Sequence, residues 1–154
     1  MAKNDAKGRT GREIDLGPLD GFIGFNLRNA QESAFRAFAR HVGAEGLKPG
    51  RFAALMVIQH NPGLTQMDLA RAIARDKSTV TPLIQDLQRR GLIERKPSTV
   101  DRRSMTLRLT AAGEATLAQM LGHAQEHDRK LDEIVGDHKA LFLDLLKRVA
   151  TEIS

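Results

Sequence analysis

The residues in this 154-residue chain best placed for chemistry form a reading surface, and no reaction centre is visible among them. Between Lys77 and Arg90, Val80, Leu83, Ile84 and Leu87 recur at i, i+3, i+4 and i+7, the spacing of one buried helical stripe. An advance of about 100° per residue puts Ser78, Pro82, Gln85 and Arg89 on the opposite face, with Thr79 and Thr81 on its flanks. Hydroxyls, an amide and a guanidinium are the groups that hydrogen-bond base edges and phosphates, although a plain solvated helix can also carry them. Further on, Asp101-Arg102-Arg103 sits between two strand-like segments. An arginine at a hairpin tip suits the minor groove, where narrow A·T stretches concentrate negative potential. The adjacent aspartate makes little sense against phosphate and good sense as an intramolecular partner fixing an arginine's direction.

Pro82 is out of place in this helix, because a proline beyond the first turn removes a hydrogen bond at a cost of about 3 kcal/mol. Since it faces outward, core packing does not explain it. The expectation is that the helix starts late, near Ser78; the other reading is a contact with a thymine methyl.

Other chemistries find less support. His123 and His127 lie four apart beside Glu126, and His41 could join from the first helix, which is acceptable zinc geometry. Such histidine spacing is common by chance, and with no cysteine in the chain thiolate metal sites, disulfides and thiol redox sensing are excluded. There is no Gly-rich phosphate loop, and no serine has a local histidine context. The expectation is a protein that is not an enzyme and needs no cofactor. No apolar run approaches the roughly 18 residues of a membrane span, and the polar start lacks a secretory signal, so a cytoplasmic protein is expected.

Charge supports a polyanionic partner through its distribution. The chain is +5 overall, but residues 71–108 carry ten basic and four acidic residues, whereas residues 109–154 are net −3. The basic part is one contiguous mid-chain stretch.

The elements that must position these groups are mainly helical, because six Phe and neither Trp nor Tyr leave a core of Leu, Ile, Val, Ala and Met. Residues 1–17 read as a disordered basic arm, with Lys3, Lys7, Arg9 and Arg12 available to DNA or simply solvated. A helix is expected from about Leu19 to Val42, a second from Pro49 to Gln59, and a turn at Asn61-Pro62-Gly63. Thr65 and Asp68 make a capping-box-like start for a short helix to Ala74, and Gly91 stops the next one near Arg90. Leu92–Lys96 and Ser104–Leu109 read as strands, the second alternating Met105, Leu107 and Leu109 against Thr106 and Arg108. Thr110 caps a long helix to Val135, and a last helix carries Leu141, Leu145, Val149 and Ile153.

Two short helices, then a hairpin with a basic tip, give the winged helix-turn-helix order. The segments Gly63-Leu64-Thr65-Gln66, Leu69-Ala70, Ser78-Thr79-Val80-Thr81, Leu87, Arg90-Gly91-Leu92-Ile93, Asp101-Arg102-Arg103 and Leu109-Thr110 resemble the DNA-binding core of the MarR family over about residues 49–116. The resemblance implies a winged helix at 47–110, flanked by dimerisation helices at 18–46 and 111–154. It implies that Asp101 orients Arg103 in the minor groove, while Ser78, Thr79, Thr81 and Pro82, with Gln85 deeper, read the major groove.

The apolar positions Leu117, Leu121, Ala124, Leu131, Val135, Leu141, Leu145 and Val149 exceed what a domain of about 70 residues can cover, so a homodimer on a palindromic operator is expected. Similarity to the family further implies a repressor released by a small anionic, often aromatic effector. Arg28 within its apolar run could meet a carboxylate or phosphate, and Phe25, Met56 and His60 could line the cleft. The stretch Gly24–Gln31 resembles regulators of aromatic-acid catabolism, some of which sense the aryl acid or its coenzyme A thioester. Zinc, through His41, His123 and His127, is the rival effector, and an architectural or protein-binding winged helix is the rival class.

Overall fold

The computed structural model describes residues 14–42, 48–73, 77–101 and 103–153. The chain divides into two compact units, Met1–Ala34 and Phe35–Ser154.

In the first unit, Asp15 Oδ1 accepts the Gly17 N–H at 2.8 Å, and Gly17–Gly21 forms a 3-10 turn with Pro18 at its start. The helix expected from Leu19 is interrupted here. Phe22 is extended (φ −84°, ψ 123°), and α1 spans Ile23–Val42. Asn26 holds the break, its Nδ2 donating to the carbonyls of Asp20 (2.8 Å) and Phe22 (3.0 Å). Of the expected arm only Ile14–Gly17 is described, and Gly17 already belongs to the turn; Lys3, Lys7, Arg9 and Arg12 lie outside the described residues.

The second unit contains α2 (Pro49–His60), α3 (Gln66–Ala72), α4 (Lys77–Arg89), β1 (Ile93–Pro97), β2 (Met105–Leu109), α5 (Ala111–Val135) and α6 (Lys139–Glu152). Local chemistry sets the boundaries. Gly63, at φ +86°, completes the turn after α2, and Thr65 begins α3 with a full capping box. In that box the Thr65 hydroxyl accepts from the Asp68 N–H (3.2 Å), and Asp68 Oδ2 accepts from the Thr65 N–H (3.1 Å). At the end of α4, Gly91 takes φ +68°. Its N–H bonds to the Gln88 carbonyl and that of Leu92 to the Leu87 carbonyl, the paired bonds of a Schellman stop.

The strands pair antiparallel, from Ile93 opposite Leu109 to Pro97 opposite Met105. The Leu107 N–H also donates to the Leu64 carbonyl at 2.8 Å, and Thr65 bridges Thr106. This added rung explains a departure from the alternating pattern expected in β2: Thr106 is buried and Met105 is exposed. The Thr106 hydroxyl is satisfied by the Lys96 carbonyl at 3.2 Å.

One core unites these elements. Leu55, Leu69, Val80, Ile84, Leu87 and Leu107 are fully enclosed, with Ala54, Ile58, Leu92, Ile93, Leu117 and Met120 around them. Leu117, expected on a partner-facing stripe, is therefore core of its own unit, because α5 packs its first turns against α2 and β2. Phe38, on the last turns of α1, meets the Phe52 ring at 5.9 Å and the His127 ring edge-on at 5.7 Å.

The start of α5 is seated by Thr110, whose hydroxyl accepts the Gly113 N–H (3.0 Å) and donates to the Gly91 carbonyl (2.5 Å). A Cβ on Gly113 would lie 1.9 Å from the Leu92 carbonyl oxygen, so no other residue fits without backbone movement. Gly113→Ala should therefore lower stability by about 2 kcal/mol, as overpacking against an unyielding neighbour does. The check is the urea midpoint, which should fall at unchanged slope.

Candidate nucleic-acid interface

The outer face of α4 is where helical spacing put it. Ser78, Thr79, Pro82, Gln85 and Arg89 are exposed, Thr81 is half-buried, and Val80, Ile84 and Leu87 on the reverse are sealed in the core. Pro82 corrects one expectation. It is the sixth residue of α4, beyond the first turn, so a late helix start does not account for it. A proline has no N–H to donate back along the helix, and this one stands on the exposed side of α4.

The position of α4 is set by charge as well as by apolar packing. Asp86 Oδ2 meets Arg51 of α2 at 2.7 Å and Arg90 at 3.0 Å, while Oδ1 meets Arg89 at 3.3 Å. Arg51 and Asp86 are mostly enclosed, whereas Arg89 stays largely in solvent, one arm on Asp86 and the rest available to a phosphate. Burial pushes the Asp86 carboxyl up. The Arg90 hydrogen bond and the charges of Arg51, Arg90 and Arg89 together outweigh it and hold the group below its ordinary value.

The wing tip is a closed network. Ser98 Oγ accepts from the N–H groups of Val100 (3.1 Å) and Asp101 (3.2 Å), and the Ser98 N–H bonds to the Ser104 carbonyl at 2.9 Å. Asp101 Oδ1 accepts the Arg103 N–H at 3.0 Å, and Oδ2 accepts the Ser104 hydroxyl at 2.8 Å. Those two bonds depress the Asp101 carboxyl. Among the described residues Asp101 makes no ion pair with the Arg103 guanidinium. It fixes the arginine through its backbone, because two donors of the turn already occupy the carboxylate. Arg103 is exposed, and Arg102 lies outside the described residues.

A further polar chain had no counterpart in the sequence reading. Arg95 Nη2 of β1 donates to Gln66 Oε1 at 2.9 Å, and Gln66 Nε2 donates to Thr81 Oγ1 at 2.8 Å. Gln66 and Arg95 also line a hollow of about 550 Å³ between α3 and the hairpin, walled by Met67, Ala70, Met105 and Leu107. Gln66 lies 29 residues from Arg95 and 15 from Thr81, separations that no local spacing rule could have flagged.

The remaining candidates belong to different elements. Phe25 is half-buried and Arg28 exposed on α1 in the first unit, with Arg28 Nε 3.2 Å from Glu32. Met56 and His60 belong to α2 in the second, where the exposed His60 bonds through Nδ1 to the Met56 carbonyl at 2.9 Å. Met56 also lines a cavity of about 470 Å³ with Phe38, Phe52, Leu121, Ala124 and His127. Of the expected zinc ligands, His123 is exposed, His127 packs on Phe38, and the His41 side chain lies outside the described residues. Among the described residues no group of three His, Cys, Asp or Glu converges.

Comparison with known proteins places this geometry. Residues 45–104 match the model of the MarR family. The chain is 37% identical to a putative transcriptional regulatory protein for the hcr operon of Thauera aromatica, over 89% of this chain and 84% of the relative. The chain belongs to the MarR family. It is similar in structure to the transcriptional repressor CouR bound to a 23-mer DNA duplex, with a TM-score of 0.82 and 33% identity over 90% of this chain and 99% of that one. CouR bound to p-coumaroyl-CoA gives a TM-score of 0.81 and 30% identity, over 91% and 99% of the two chains. This chain is thus a MarR-family transcriptional regulator with the family's DNA-binding winged helix. Among the described residues no helix is long and apolar enough to cross a membrane.

The α2–α4 clamp of this MarR-family protein predicts an acid limb. The Asp86 carboxyl is lowered from 3.8 on folding, so its contribution is present above that value and lost as pH falls below it. Asp86→Asn should cost about 2 kcal/mol near neutrality. The gap between parent and variant should hold down to about pH 4, where the unfolded carboxyl begins to take up a proton, and narrow progressively below it.

Proposed function

We propose that this MarR-family chain is a homodimeric, sequence-specific repressor that reads a palindromic operator and is released by a small aromatic anion. The observation that carries the DNA-reading part is the outward polar face of α4 standing beside a wing whose Asp101 holds Arg103 in place. Ser78, Thr79, Thr81, Pro82 and Gln85 face the major groove, Arg89 a phosphate, and Arg103 with Arg102 the minor groove. Asp101 acts by positioning.

Dimerisation is supported by α6, which leaves Leu141, Phe142, Leu143, Leu145 and Val149 exposed along its length, with Ile153 exposed just past its end. A second copy would cover this face and set two α4 helices one DNA turn apart. The effector class is supported by CouR, which binds p-coumaroyl-CoA, and by the cavity that Phe38, Phe52 and Met56 line between α2 and α5. Phe38, Phe52 and Met56 give that cavity apolar walls suited to an aryl group; Arg28 is the proposed cation for the acid, with Phe25 and His60 as further apolar and polar candidates for effector contact.

Selection of bound sequences from a random DNA pool at near-physiological salt should return a two-fold palindrome with half-sites about one helical turn apart. An architectural protein would return no motif, and its binding would collapse with salt. On the selected site, Arg103→Ala should weaken binding about tenfold and relax the preference for A·T at the outer edges; parental binding by this variant would remove the wing assignment. For the effector, titrating the complex with aryl acids and with p-coumaroyl-CoA while following DNA anisotropy should release the DNA. Arg28→Ala should bind DNA as the parent does but need about tenfold more effector.

A further inference from the structure

Gln66 stands at the start of α3, outside both groove-reading elements, yet its side chain hydrogen-bonds to each of them. Arginine has only donors, so the oxygen of the Gln66 amide must face Arg95 and its nitrogen must face Thr81. The amide orientation is thereby fixed by chemistry, and the bond it offers Thr81 engages an oxygen of α4 that reads DNA on the proposal above. Apolar packing joins α4 to the near end of β1, where Ile93 shares the core with Val80, Ile84 and Leu87, but Arg95 lies two residues farther toward the wing. Between α3 and the hairpin lies the hollow of about 550 Å³, so Met67 and Met105 flank open space. The Leu64–Leu107 and Thr65–Thr106 pairings pin β2 to the segment before α3, but they do not reach α4. Toward the wing, the Gln66 side chain adds a polar link between β1 and α4 to the apolar contact at Ile93 and the Leu92–Leu87 backbone bond.

We infer that Gln66 is a positioning residue that couples the two reading elements: by bridging Arg95 of β1 and Thr81 of α4, it fixes the separation between the recognition helix and the wing arginine. A major-groove contact made by α4 then places Arg103 for the minor groove, and a shift of either element is transmitted to the other. The inference rests on the DNA-reading assignment above, so its primary test involves no DNA.

Because the chain has no cysteine, spin labels attach only where cysteines are introduced. Val100→Cys at the wing, where the native side chain is 96% exposed, and Gln85→Cys on α4 supply the pair. Diluted with excess unlabelled protein so that a dimer carries at most one labelled chain, the full-length protein should give one narrow intra-chain distance by pulsed electron resonance. Adding Gln66→Ala should broaden or shift it. Gln66→Glu should restore it, since the carboxylate accepts from Arg95 and can also accept the Thr81 hydroxyl proton. Identical distributions in all three proteins would overturn the coupling, whatever the DNA results.

The consequence is then read on the selected operator. Gln66→Ala should lower the ratio of specific to non-specific affinity about tenfold. The loss caused by Arg103→Ala should also shrink several-fold in the Gln66→Ala background, because the arginine is already misplaced there. Strictly multiplicative losses would mean that Gln66 only supports the fold. Melting of each variant without DNA separates the two, since a merely structural residue would lower stability without changing the Arg103 penalty.

Discussion

The winged helix hangs on one short junction, where the carbonyls of Gly91 and Leu92 are taken by Thr110. At that point the end of the recognition helix, the start of the hairpin and the start of the long helix meet within a few ångströms. Gly91 turns the chain through a left-handed conformation that a side chain would disfavour, and Gly113 lets α5 come up against the Leu92 carbonyl. The Schellman bonds satisfy the last carbonyls of α4, while the threonine satisfies the Gly113 N–H in the first turn of α5. Moving any of the three elements would therefore strand backbone groups in the other two. The angle between recognition helix and wing starts here, and the polar links farther out refine it.

Much of this was legible because it is local. The apolar stripe Val80, Leu83, Ile84, Leu87 predicted which face of α4 is buried, and Thr65 with Asp68 predicted the cap of α3. Asn61-Pro62-Gly63 and Gly91 marked their stops correctly. These signals work through intervals of one to seven residues, the reach of helical periodicity and capping.

What escaped was contact at long separation. Gly113 reads as an ordinary weak helix residue until the Leu92 carbonyl is found where its Cβ would be. Thr106 reads as the solvent side of a strand until Leu64 and Thr65 add a rung. The Arg51–Asp86 pair and the Arg95–Gln66–Thr81 chain join residues whose types are unremarkable and whose spacing is arbitrary. The candidate DNA contacts were visible because they face outward from predictable elements; the residues that hold those elements in register were hidden.

That division bears on how an effector could act. A ligand shifts an equilibrium only by its different affinity for two arrangements, and the difference must reach α4 through matter. Helix α2 is common to both ends. Phe52 and Met56 on it line the cavity shared with α5, and Arg51, one residue before Phe52, holds Asp86 of α4 at 2.7 Å. Arg51 and Asp86 are mostly enclosed, so separating them would leave charges poorly solvated, and α4 is expected to follow α2 over small displacements. On the proposed reading, an aryl group between α2 and α5 alters the site where Arg51 is anchored, and the clamp conveys that change to the recognition helix. Because α4 is also tied through Gln66 to β1, the wing would be carried with it. Major- and minor-groove contacts would then be lost together, which is the behaviour a releasable repressor requires.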